Sequence, residues 1–82
     1  MGRLRQLQAM ADELVVSAFS TDGLVEVQAT GTGDIRIHLH EGALRDQSEQ
    51  TLDLKINRVL DEAMYQLRIA YRDLSARVLY AT

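Results

Sequence analysis

With 82 residues the chain makes a single domain, too short for a deep core unless cross-links or a partner add burial. There are no cysteines, which excludes disulfides and thiolate metal sites, and 9 basic against 12 acidic residues leave a formal charge of -3. That balance differs from the strongly basic profile of most nucleic-acid binders, although 8 of the 9 cations are arginine, the side chain suited to bidentate contacts with phosphate or carboxylate. No run approaches the roughly 18 apolar residues of a membrane span. The first ten residues, MGRLRQLQAM, lack the apolar core and small-residue cleavage site of a secretory signal. A cytoplasmic protein with no membrane contact is expected.

Residues 2–13 read as a short helix. Leu4, Leu7, Ala11 and Leu14 recur at the spacing of one helical face, and nothing breaks the run. Arg3 and Arg5 lie near its start, where the helix dipole disfavours cations, which points to a use other than helix stability. Over residues 14–19 the period changes to two, with Leu14, Val16 and Ala18 set against Val15, Ser17 and Phe19. This predicts a first strand, unless the helix runs on a turn further. The stretch Ser20-Thr21-Asp22-Gly23 is the turn into a second strand.

The middle of the chain, GLVEVQATGTGDIRIHLH, carries the clearest pattern. Val25, Val27 and Ala29 alternate with Glu26, Gln28 and Thr30; Ile35, Ile37 and Leu39 alternate with Asp34, Arg36, His38 and His40. Such alternation predicts two strands with one wet and one buried face. Gly31 and Gly33 are expected to supply the positive-φ positions of the hairpin turn between them. With the first strand this gives a three-stranded antiparallel meander, and a covering element is needed for its apolar face.

That element is a second helix. Asp46 followed by Glu49 has the form of a capping box, and no proline or glycine interrupts the sequence from there to about Leu79. More than thirty helical residues span roughly 45–50 Å at 1.5 Å each, longer than a three-stranded sheet is wide. The C-terminal half is therefore expected to overhang unless a second chain meets it. Leu52, Ile56, Val59, Leu60, Ala63, Met64, Leu67, Ala70, Tyr71, Leu74 and Val78 fall within an arc of roughly 140°. Part can cover the hairpin; Leu60, Met64, Leu67, Tyr71, Leu74 and Val78 are left as the expected interface of a homodimer.

The opposite face carries Arg58, Asp61, Tyr65, Arg68, Ile69 and Arg72. Arginines interleaved with an aromatic and an aliphatic suit a binding surface. The same residues also fit a solvated face on which Arg58 pairs with Glu62, and Asp73 with Arg77, one turn apart. No phosphate-binding loop, dinucleotide fingerprint, zinc-protease motif or nucleophile elbow occurs. His38 and His40 with Glu41 lack a well-spaced third ligand set, so no metal site is expected. Nor is an enzyme, a cofactor or a small-molecule substrate.

The helix LRQLQAM, the strand pair above and the helix segment LDLKINRVLDEA come in an order that resembles the YbaB/EbfC family of small bacterial nucleoid-associated proteins. The matching positions are Gly23, Val25, Val27, Gly31, Gly33, Ile35 and Ile37. Where that family often has aspartate-proline after the third strand, this chain has Glu41-Gly42. The resemblance implies an α+β fold of order α-β-β-β-α over residues 1–82, an intertwined homodimer, and binding of double-stranded DNA with little sequence preference. By element and charge it implies DNA contacts from Arg3, Arg5, Arg58, Arg68 and Arg72. A protein-interaction adaptor of the same fold is the second expectation.

Overall fold

A computed structural model describes residues 2–43, 45 and 48–80. Helix α1 (Gly2–Asp12) leads into strands β1 (Val15–Phe19), β2 (Val25–Thr30) and β3 (Ile35–Leu39), and helix α2 (Glu49–Tyr80) closes the chain. The strands form one antiparallel sheet in the order β1-β2-β3. This is the expected α-β-β-β-α arrangement of an α+β fold. No helix among the described residues is long and apolar enough to cross a membrane.

Each turn follows from its local chemistry. At the β1–β2 turn the Ser20 backbone N–H bonds to the Val25 carbonyl, and Asp22 Oδ1 accepts from the Leu24 N–H and the Ser20 hydroxyl. Such short-range bonding is why serine and aspartate favour turns. At the β2–β3 turn Gly33 N–H bonds back to Thr30, and Gly33 takes a φ of 95°. This is the three-residue hairpin in which a left-handed glycine completes the loop. Gly31 does not share that role, because its φ is not positive. Its lack of a side chain has another cause. A Cβ there would lie 1.6 Å from the Ala11 carbonyl oxygen, since the hairpin turn sits directly against the end of α1. The Gly31 N–H donates to the Leu14 carbonyl at 2.9 Å and locks that approach.

α2 begins two residues later than the capping box predicts. Ser48 is the N-cap: its hydroxyl accepts from the Thr51 N–H at 3.2 Å and donates to Thr51 Oγ1. Asp46, the expected cap, lies outside the described residues. From Glu49 the helix runs 32 residues unbroken, about 48 Å at 1.5 Å per residue. The molecule is accordingly a rod, 52 × 16 × 16 Å.

The core between α2 and the sheet is built from small side chains. Ala18, Val25, Val27, Ala29, Val59 and Ala63 are buried, and the largest fully buried side chains are Val25 and Val27. Leu52, Ile56, Leu60, Met64 and Leu67 close its margins, half-buried. α2 lies over β1 and β2. A helix is about 10 Å across and strands are about 4.8 Å apart, so one helix roofs two strands and not three. Ile35 and Ile37 are in register with Ala29 and Val27 on the helix side of the sheet, yet remain 47% and 49% exposed. They face inward as expected, but among the described residues α2 does not roof them, so they are left half-exposed instead of buried.

The overhang is also partly corrected. α1 folds back antiparallel along the last turns of α2, where Leu7, Ala11 and Leu74 form a second small core with Leu14, Val78 and Leu79 against it. The far half of α2 thus finds part of its cover within its own chain.

Candidate nucleic-acid interface

All five arginines expected to touch DNA are exposed, but the fold does not gather them in one place. Arg3 is spoken for: its Nη1 donates to the Leu79 carbonyl at 3.4 Å, a cation set on the last turn of α2 where the dipole is negative. This accounts for its unfavourable position at the start of α1. Arg5, on the same helix, has no ion-pair partner among the described residues.

Arg68 and Arg72 sit one turn apart on the outward side of α2, near the half that α1 covers. Arg68 borders a cleft with Leu14, Gly31, Leu67 and Tyr71, and it forms no ion pair among the described residues. Arg72 Nε is 3.9 Å from the carboxylate of its neighbour Asp73, a loose and exposed pair. Asp61 shares the stripe two turns earlier. Arg58 lies ten residues before Arg68, about 15 Å along the helix. It lines a different cleft, on the side of β1.

The solvated-face pairs do not form. Glu62 accepts from the Gln66 amide at 3.2 Å instead of meeting Arg58, and no Asp73–Arg77 pair exists among the described residues. The lone lysine is the cation that ties two distant segments together. Lys55 pairs with Asp22 and ties the β1–β2 turn to α2. The Lys55 ammonium, then the Ser20 hydroxyl and the Leu24 N–H, hold the Asp22 carboxyl well below the usual carboxylate range.

Of the residues expected to meet a second copy, Leu60, Met64 and Leu67 are half-buried at the core margin and Tyr71 is exposed. Leu74 is different. α1 of the same chain buries it, with Val78 half-buried beside it, so Leu74 has no surface left to offer. Ile35 and Ile37 extend the apolar surface onto the sheet, and the residue pattern alone did not single them out. The signal was present in the arithmetic of one helix against three strands.

On the wet face of the sheet His38 and His40 stack edge to face with ring centroids 4.6 Å apart, and His40 Nε2 is 3.7 Å from Glu26 Oε1. Among the described residues no group of three or more acidic, histidine or cysteine side chains is placed to hold a metal ion.

No family model matches the chain, and no curated protein does. Among solved structures it is similar to the uncharacterized protein HP0035 from Helicobacter pylori, with a TM-score of 0.76 over 95% of this chain and 83% of that one, at 16% sequence identity. A likeness at that identity establishes a shared fold.

Proposed function

We propose that the chain is a nucleoid-associated protein of the YbaB/EbfC type. In this reading it acts in the cytoplasm as an intertwined homodimer that holds duplex DNA mainly through phosphates. The observation that carries the reading is the exposed pair Arg68 and Arg72, with Arg5 on the helix packed beside them and no acid partner for Arg5 or Arg68 among the described residues. Guanidinium groups left unneutralised on one end of a rod suit phosphate oxygens. The dimer is supported by the sheet: two half-exposed isoleucines continuous with the Leu60–Met64–Leu67 margin are an apolar surface that a second copy would cover.

Two protomers contributing Arg5, Arg68 and Arg72 would neutralise about six phosphates, giving a log–log salt slope near −5 and a loss of about 10³ in affinity between roughly 50 and 200 mM salt. Fluorescence anisotropy against a random duplex reads that slope directly. Replacing both Arg68 and Arg72 by alanine should flatten it to about −2, since each phosphate no longer neutralised takes roughly one unit off the slope. A salt-independent titration, or no binding at 50 mM, would set the DNA reading aside. The second reading, a protein-interaction adaptor, is favoured by Leu54 and Tyr65, large apolar side chains left exposed on the same helix. It expects partner binding with weak salt dependence.

A further inference from the structure

We propose that a second copy of this chain docks edge to edge on β3, the two β3 strands running antiparallel and centred on Ile37, so that two three-stranded sheets become one. This rests on the dimer proposed above and specifies how it is made. β3 ends the sheet, and its outer edge is unpaired among the described residues. The Thr30 N–H bonds to the Asp34 carbonyl and the His40 N–H to the Leu24 carbonyl, so the even-numbered residues of β3 direct their backbone groups at β2. Ile35, Ile37 and Leu39 turn theirs outward. Proteins guard such an edge with proline, lysine or a bulge. The five residues IRIHL include neither proline nor lysine, and they pair with β2 without a bulge.

The side chains select the partner and the register. Ile35 and Ile37 lie half-exposed on the helix side, and a strand that brings isoleucines of its own to that side covers them. The opposite edge offers no such gain, because the helix-side residues of β1 are Val16 and Ala18, which α2 already packs. Ile37 is the midpoint of Ile35–Leu39, so pairing about it uses the whole strand. Ile37 then faces its own counterpart and Ile35 faces the second copy's Leu39, with about six backbone hydrogen bonds. Leu60, Met64 and Leu67 of each copy flank the joined isoleucines. On the wet side Arg36 faces the second copy's His38, whose neutral ring offers an acceptor nitrogen, and Asp34 faces its His40. A shift of two residues is the smallest that keeps the isoleucines on the helix side. It sets Arg36 against Arg36, or His38 against His38, and shortens the overlap. The strand is thus complementary to itself, as a two-fold interface requires.

The chain has no cysteine, so single replacements report the register. Facing Cα atoms of a hydrogen-bonded antiparallel pair are about 5.5 Å apart, within disulfide range, whereas diagonal neighbours are about 7–8 Å apart. Under mild oxidation Ile37→Cys should form a covalent dimer at least about ten-fold faster than Arg36→Cys or His38→Cys, read on non-reducing gels. The wild type gives a reading without any substitution. At a concentration where sedimentation shows a dimer, hydrogen exchange at the Ile35, Ile37 and Leu39 amides should be slowed at least about 100-fold relative to an unfolded chain. Ile37→Asp should lose that protection while the Arg36 and His38 amides, bonded to β2, keep theirs. A dimer whose Ile35, Ile37 and Leu39 amides exchange freely overturns the edge pairing and leaves the dimer standing. Cross-linking that is fastest at Arg36→Cys or His38→Cys, or equal at all three, overturns the pairing about Ile37. Sedimentation of the wild type as single subunits overturns the dimer itself, and this inference with it.

Discussion

Gly31→Ala is the substitution on which the architecture stakes most. Its added Cβ would meet the Ala11 oxygen at 1.6 Å and the Ala11 carbonyl carbon at 2.7 Å, both backbone atoms that no rotamer change can clear. Relief to even 3.0 Å requires the turn and α1 to separate by 1.4 Å, the difference of those two distances. That movement stretches the 2.9 Å Gly31–Leu14 hydrogen bond beyond use, at about 1 kcal/mol. It also loosens Leu7 and Ala11 from Leu74, and overpacking of this kind costs about 1–3 kcal/mol. The sum is roughly 2–4 kcal/mol, a fall of roughly 10–25 °C in the thermal midpoint of so small a domain. Circular dichroism melts at matched protein concentration measure it, because the midpoint of the proposed dimer would depend on concentration. Gly2→Ala is the neutral control, with nothing within 4 Å of the new Cβ. Gly33→Ala, at φ 95°, should cost only the left-handed penalty of about 1–2 kcal/mol. If Gly31→Ala melts with the wild type, the close seating of the hairpin turn on α1 is wrong.

Two further outcomes test the proposed dimer and the fold. Ile37→Asp places a charge on the half-exposed strip of β3; if two copies meet there as proposed, sedimentation should show a shift from dimer to single subunits while the circular dichroism spectrum of the subunit persists, because the residue is half-exposed in its own chain. An oligomeric state unchanged by that substitution would move the interface elsewhere. The Asp22–Lys55 tie should respond to acid in a definite direction. A carboxyl whose folded pKa is depressed adds stability above its unfolded value, near 3.8 here, and loses it as pH falls from there towards the folded value. Wild type and Asp22→Asn should therefore differ in melting temperature at neutral pH and converge only on acidification below about pH 4. A gap that closes between about pH 5 and 7 would implicate a different group, a histidine first.

The order and type of all five elements could be read from periodicity, because alternation in 25–30 and 35–39 and the unbroken helical run after Ser48 are local properties. What escaped was relative placement. Gly31 looks like an ordinary turn glycine, and only its contact with α1, twenty residues earlier in sequence, explains it. Leu74 sits on the apolar arc of α2 like its neighbours, and the pattern does not say that α1 will take that part of the arc. For the candidate site, the arginines were visible as residue types. The split of Arg58 from Arg68 and Arg72, and the use of Arg3 as a helix cap, depend on which elements lie alongside.

The 32 residues of α2 contain neither glycine nor proline, so the element has no internal hinge and must move as one piece. It bears on the sheet from Leu52 to Leu67, about 22 Å of its length, and α1 grips it again at Leu74, Val78 and Leu79. The helix is therefore a splint: it holds the sheet and the N-terminal helix at a fixed spacing, and the two small cores cannot shift independently.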